Sequence, residues 1–131
     1  MIFGLGVDIA KCGRFEKWLQ DPKMLARFFN QAELSPSPSQ MTAAQKSAAL
    51  QHYAARFAAK EAFSKALGTG LTFDLRDVFV QNQAGGRPIL VLQNSALEIF
   101  KKNCPQWQDA KIFVSLSHEK EYAVAQVLIE I

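Results

Sequence analysis

Ten alanines, at positions 43, 44, 48, 49, 54, 55, 58, 59, 62 and 66, lie between Thr42 and Leu67, and no other stretch constrains the chain so strongly. Alanine has the highest helix propensity and adds little bulk, so a long helix that admits close neighbours is expected. Thr42-Ala-Ala-Gln45 has the spacing of a capping box and sets its start. Gly68 offers the left-handed residue that commonly closes a helix. At 100° per residue, Ala54, Ala58, Glu61 and Lys65 fall along one strip, small residues leading to a carboxylate and a cation. Glu61 and Lys65, four apart, are neighbours on that face and can be read as a solvated ion pair. Lys65 in the last turn also complements the helix dipole. Gly68-Thr-Gly70 follows the helix instead of preceding it, so the stretch is not a P-loop. A phosphate nearby has to be held by side chains, metal or loop amides.

Residues 2–9 alternate, with Phe3, Leu5, Val7 and Ile9 on one face and Gly4, Gly6 and Asp8 on the other, which reads as a half-buried strand. Glycine in a strand marks close approach by a backbone or ligand, so the face around Asp8 is unusually open. The run lacks the third small residue of a dinucleotide fingerprint. Asp8 and Glu61 together supply two hard oxygen ligands, enough for magnesium, which takes one or two carboxylates and keeps waters or phosphate oxygens. Residues 11–20 fit a short helix with Phe15, Trp18 and Leu19 as its stripe and Lys11, Arg14 and Lys17 as cations. Asp21-Pro22 interrupts it, residues 23–30 form a second helix with Lys23, Arg27 and Phe28-Phe29, and the Ser-Pro run at 35–39 is a loop. The cations are interleaved with Asp8, Glu16 and Asp21, so a solvated surface, an acidic partner and polyanion binding all remain open. No nucleic acid partner is expected, because no aromatic-basic groove or recognition motif appears.

From Asp77 the pattern turns to a hairpin, residues 78–82 and 87–92 around Gln83-Ala-Gly-Gly86. Ser95-Ala-Leu-Glu98 offers another capping box, for a helix that Cys104-Pro105 ends. Two further strands, 111–117 and 122–130, flank a turn at 118–121; Ile112, Val114 and Leu116 face the core, and Phe113, Ser115 and Ser117 the opposite side. His118 beside these serines does not make a hydrolase triad, since adjacency in sequence assembles neither base nor orienting acid. The expected architecture is one α+β domain over residues 1–131, a small, mostly antiparallel sheet packed against one long helix. With 131 residues, 49% of them hydrophobic, the chain can bury roughly two thirds of its unfolded surface. No run of about eighteen apolar residues and no leader pattern occur, so a soluble, cytoplasmic protein with no membrane partner is expected. Cys12 and Cys104 lack metal or disulfide spacing and read as reduced thiols. The net charge of +3 suits a polyanionic ligand or an acidic partner.

The segments then converge. Gly4-Leu-Gly6-Val-Asp8-Ile9, Arg56-Phe-Ala-Ala-Lys60-Glu61-Ala-Phe-Ser-Lys65-Ala-Leu-Gly68-Thr-Gly70, Gly86-Arg87-Pro88 and Val114-Ser-Leu-Ser-His118 with Tyr122-Ala resemble, in order and over nearly the whole chain, the holo-acyl-carrier-protein synthases, the short 4′-phosphopantetheinyl transferases. The resemblance implies transfer of 4′-phosphopantetheine from coenzyme A to a serine of apo acyl carrier protein, releasing adenosine 3′,5′-bisphosphate. It implies Asp8 and Glu61 as magnesium ligands, Glu61 and Lys65 as catalytic residues, and Arg56, Lys65, Gly68, Pro88, Ser115, Ser117 and His118 around coenzyme A. It further implies a homotrimer with sites between subunits. Carrier proteins are acidic as a family, which gives Arg14, Lys17 and Arg27 a docking role. Phe113 departs from the family, in which histidine is frequent at this position, so a polar contact to the nucleotide is missing or replaced by stacking. The alternative is a non-catalytic coenzyme A or carrier-binding module, against which the intact Asp8, Glu61 and Lys65 argue. A trimer that is purely structural would show no magnesium dependence.

Overall fold

The long helix α3, Ala43–Leu67, begins and ends where its caps dictate. Thr42 Oγ1 accepts from the Gln45 amide at 3.1 Å, and Gln45 Oε1 accepts from the Thr42 amide at 2.9 Å, closing the capping box. At the far end Gly68 adopts φ 82° and returns its amide to the Ser64 carbonyl. The structure is a computed structural model that describes residues 1–36 and 38–131; Ser37, in the expected Ser-Pro loop, lies outside the described residues.

Against α3 lies an antiparallel sheet in the order β1 (Ile2–Lys11), β5 (Tyr122–Glu130), β4 (Lys111–His118). Ala123, Ala125, Val127 and Ile129 of β5 are fully buried on the helix side. Strand β1 packs through its glycines. A Cβ on Gly4 would fall 1.8 Å from the Ala66 carbonyl oxygen, and one on Gly6 would fall 1.9 Å from that of Ala62. Only strand residues without a side chain, over helix residues with a single methyl, permit this approach. The half-burial expected of β1 holds, but of the expected face of Phe3, Leu5, Val7 and Ile9 only Phe3 packs against the core. Leu5, Val7 and Ile9 are 55%, 54% and 63% exposed, on a sheet face shared with Phe113 and with Leu128 and Val124 opposite in β5.

The expected helix over 11–20 is shorter than the pattern suggests. Lys11 still pairs with Tyr122, and the Cys12 amide bonds to the Glu121 carbonyl at 2.8 Å, so the sheet consumes these backbone groups. A 3-10 turn, Cys12–Phe15, then leads into α1, Glu16–Leu19. Asp21-Pro22 does more than interrupt. Proline takes the first position of α2, Pro22–Phe28, and Asp21 Oδ1 accepts from the Met24 amide at 3.2 Å. Phe15, Trp18 and Phe29 pack with Phe57 of α3 as one aromatic cluster.

The hairpin of β2 (Val78–Asn82) and β3 (Pro88–Leu92) turns through Gly85 and Gly86, both at positive φ. Helix α4, Asn94–Asn103, follows and stops before Pro105. The expected Ser95/Glu98 capping box is absent. Asp77 takes its place from outside the helix, Oδ2 accepting from the Ser95 amide at 3.1 Å and from its hydroxyl at 2.5 Å. No helix is long and apolar enough to cross a membrane among the described residues.

The glycine contact is testable. Gly6→Ala should lower unfolding free energy in urea by roughly 2 to 3 kcal/mol, the upper range of ordinary overpacking, because the clashing group is backbone. Gly13→Ala, where an added Cβ meets nothing within 4 Å, should change it by less than about 0.5 kcal/mol.

Candidate active site

The close seating of β1 on α3 sets Asp8 beside the last two turns of the helix. Lys65 Nζ donates to Asp8 Oδ1 at 3.0 Å and to the Val7 carbonyl at 3.1 Å. The expected Glu61–Lys65 pair is not what forms: among the described residues Lys65 pairs with Asp8, and Glu61 enters no salt bridge. Glu61 is nevertheless close enough to feel the others. Partial burial pushes its carboxyl above the usual range, the Asp8 charge pushes it further, and Lys65 and Arg14 pull it back. The Asp8 side chain is 19% exposed and that of Lys65 53%, so the cluster opens to solvent.

Two carboxylates held together against their mutual repulsion form a donor set that suits a hard divalent cation. Among the described residues no group of three or more Asp, Glu, His or Cys forms, so the two carboxylates are not part of a larger cluster of such side chains.

A second feature lies elsewhere on α3. A cleft of about 390 Å³ is lined by His52 and Arg56 of α3, Gly86 and Pro88 of the hairpin, and Leu116 and His118 of β4. Burial pushes the His52 ring below its usual range, and its Nε2 sits 2.6 Å from the Glu33 carbonyl oxygen. Because that oxygen only accepts, Nε2 carries the proton. Arg56 lies one turn further on and remains a cation in the wall, since guanidinium does not deprotonate in proteins. A larger hollow of about 540 Å³, between α2 and the start of α4, contains none of the expected residues.

The expected site residues therefore fall into separate groups. Asp8, Glu61 and Lys65 come together. Arg56, Pro88 and His118 share the cleft, and Gly68, which closes the helix, is not among its lining residues. Glu61 follows Arg56 by five residues, a turn of about 140° around the axis, so the acidic cluster and the cleft face different ways. Ser115 and Ser117 project with Phe113 on the open sheet face, away from His118. Arg14 lies 4.7 Å over the Phe57 ring and Arg27 5.4 Å over the Phe28 ring. Phe28 stacks on Trp18, so the two arginines flank one aromatic cluster; Lys17 is exposed on α1 between them in sequence.

Sequence reasoning missed His52, Glu33 and Lys60. The last two are wholly buried and paired, Lys60 Nζ to Glu33 Oε1 at 2.5 Å. Lys60 did carry a signal, since it is flanked at three residues' distance by Phe57 and Phe63, both core positions.

Residues 4–127 match the family model described as the 4′-phosphopantetheinyl transferase superfamily. The chain is 47% identical over 131 residues to the holo-[acyl-carrier-protein] synthase of Treponema denticola, covering 99% of each. It is 43% identical over 134 residues to that of a Geobacter species, again covering 99% of each. Among solved structures, it is similar to a holo-(acyl-carrier-protein) synthase from Bacillus anthracis in complex with CoA (3′,5′-ADP), with a TM-score of 0.71, 34% identity, and 98% and 96% of the two chains covered. The corresponding protein of Neisseria meningitidis gives a TM-score of 0.77 at 26% identity, with both chains covered completely. An α3 that ends in the Glu61 and Lys65 turns, a glycine-bearing β1 that brings Asp8 to them, and likeness along the whole length agree: this chain belongs to the 4′-phosphopantetheinyl transferase superfamily.

Proposed function

We propose that this protein transfers 4′-phosphopantetheine from coenzyme A to a serine of apo acyl carrier protein. The observation that carries the reading is the juxtaposition of Asp8, Glu61 and Lys65 in a chain that is family-like from end to end. In the reaction the serine oxygen bonds to the phosphorus that bears pantetheine, the pyrophosphate P–O bond breaks, and adenosine 3′,5′-bisphosphate leaves. Asp8 and Glu61 would hold Mg2+, which when bound supplies positive charge to the pyrophosphate oxygens. Glu61, its carboxyl already pushed upward, accepts the serine proton. Asp8 holds the Lys65 ammonium at the mouth of the site, where it neutralises charge developing on phosphoryl oxygens. Arg56, Pro88 and His118 line the cleft that takes the nucleotide, with Arg56 the natural partner for its phosphates.

The acidic cluster and this cleft face different ways on one helix, and Ser115 and Ser117 sit on the apolar sheet face. Both observations support complete sites formed between copies, in the homotrimer that the family resemblance implies. Leu5, Val7, Ile9 and Phe113 are apolar side chains of a size that other copies would cover. Arg14, Lys17 and Arg27 form the docking edge for an acidic carrier, next to Glu61. Free, buried Cys12 and Cys104 suit a reducing cytoplasm.

Glu61→Gln should lower carrier modification, read as the carrier's mass gain with coenzyme A and magnesium, by on the order of 100-fold. The same variant should melt higher than the parent at neutral pH in metal-free buffer. A carboxyl raised by folding is best tolerated protonated, so its contribution to stability falls as pH rises through the raised value; the difference in melting temperature should close in acid. Near-normal turnover of the folded variant would sink the assigned role. Arg14→Glu should weaken carrier binding most at low salt, and a salt-independent affinity equal to the parent's would remove Arg14 from the docking edge. Sedimentation should give a trimer, and Val7→Lys should lower the mass toward a monomer.

A further inference from the structure

The hairpin that walls the cleft has an unusual anchor. Within the β2–β3 ladder, the Asp77 carbonyl accepts from the Gln93 amide and the Arg87 carbonyl from that of Gln83, so odd-numbered residues of β2 face β3. The backbone groups of Val78 and Val80 therefore point to the other edge, where no strand lies among the described residues. Two side chains occupy that edge. Lys60 Nζ donates to the Val78 carbonyl at 2.6 Å, and the Val80 amide donates to Glu33 Oε2 at 3.2 Å. The ammonium and carboxylate close the circuit by pairing with each other at 2.5 Å.

All three Lys60 protons are used, and both Glu33 carboxylate oxygens accept. Lys60 gives its third proton to the Leu75 carbonyl at 2.9 Å, and Glu33 Oε1 also accepts from the Asn30 amide at 3.0 Å. Both side chains are fully buried. A buried ion pair gains little net stability over an apolar pair of the same volume, because both charges lose their hydration. What this one does supply is geometry, since its five hydrogen bonds tie α3, the Gln31–Glu33 turn, the Leu75–Asp77 turn and β2 into one fixed arrangement. The Glu33 carbonyl is also the acceptor that holds the His52 ring in the cleft.

We propose that Glu33 and Lys60 are positioning residues that substitute for a missing strand along the free edge of β2 and so hold the hairpin wall of the cleft against α3. This rests on the reading above that the cleft takes the nucleotide of coenzyme A. Lys60 shares α3 with Glu61 but is buried on another side of it, so its influence runs to coenzyme A affinity and leaves the chemical step alone.

The test uses the full chain with Glu33→Gln, Lys60→Met and the double variant Lys60→Met/Glu33→Leu. The double variant leaves no unpaired buried charge and keeps the test alive if Lys60→Met does not fold. The dissociation constant of adenosine 3′,5′-bisphosphate, measured on folded protein by calorimetry, and KM for coenzyme A should both rise about 10-fold or more, with kcat within about twofold of the parent. Exchange of the Val80 amide should quicken while the Phe79 and Gln81 amides, bonded to β3, stay slow. Folded variants with parental affinity and parental Val80 exchange would overturn the proposal, as would a fall in kcat without any change in affinity, which marks a loss of active protein only. If the unaltered chain binds no adenosine 3′,5′-bisphosphate, the nucleotide reading falls and the binding role with it. Quickened Val80 exchange would still support the edge contact by itself.

Discussion

The contact between β1 and α3 is made backbone to backbone, and the rest of the site depends on it. At Gly4 and Gly6 there is no room for even one carbon between the strand and the carbonyls of Ala66 and Ala62. Two residues further on, the same seating lets Asp8 reach Lys65 with a hydrogen bond instead of a solvent-filled gap. A strand with ordinary side chains would stand off from the helix, and Asp8 would part from Lys65 and from the Glu61 turn. The run of alanines is the helix's half of this fit, and helix propensity is its lesser role.

The approach has an electrostatic cost, and the chain meets it locally. Bringing Asp8 and Glu61 together in a half-buried place favours the protonated form of Glu61. Lys65 and Arg14 lessen the penalty without abolishing it, which leaves a carboxylate that holds its proton more readily than an exposed one. Elsewhere the same helix treats charge oppositely: Lys60 is sealed from water with every proton bonded, and its work is structural. Neighbouring residues 60 and 61 thus carry opposite charges in opposite surroundings. Burial and hydrogen-bond supply, far more than charge, separate their roles.

Much of this was legible in the chain. The α3 caps, the hairpin turn at Gly85 and Gly86 and the strand positions follow from local rules, because each depends on a few neighbouring residues, whereas the meeting of Asp8 with the Glu61 turn is a contact between distant segments that the family resemblance implied. The failures share a physical cause, which is competition from distant backbone. The helical stripe is expected from Lys11, yet Lys11 pairs with Tyr122 and the Cys12 amide bonds to the Glu121 carbonyl, so the helix starts later. Ser95 has the spacing of a cap, yet Asp77 binds it first. Glu33 and Lys60 look like surface charges until the free edge of β2 supplies partners. The burial sense of β1 was hidden for a different reason: hydrophobicity marks Leu5, Val7 and Ile9 for a core, whereas shape marks the glycines, and within this chain shape prevails.

Strand β1 consequently has no spare side. Its even positions carry the glycines and the carboxylate, its odd positions carry the apolar surface, and the two sets are separated only by the parity of a residue's place along the strand. Loss or gain of one residue ahead of Gly6 would exchange them wholesale, pressing isopropyl groups on the helix carbonyls and turning Asp8 outward. The ladder itself already breaks step between Ile2 and Gly4, so the point where register can be adjusted lies before the first glycine. An added or lost residue is therefore accommodated best before Gly4, and from Gly4 onward the count of residues matters to the seating of the strand as much as their chemistry.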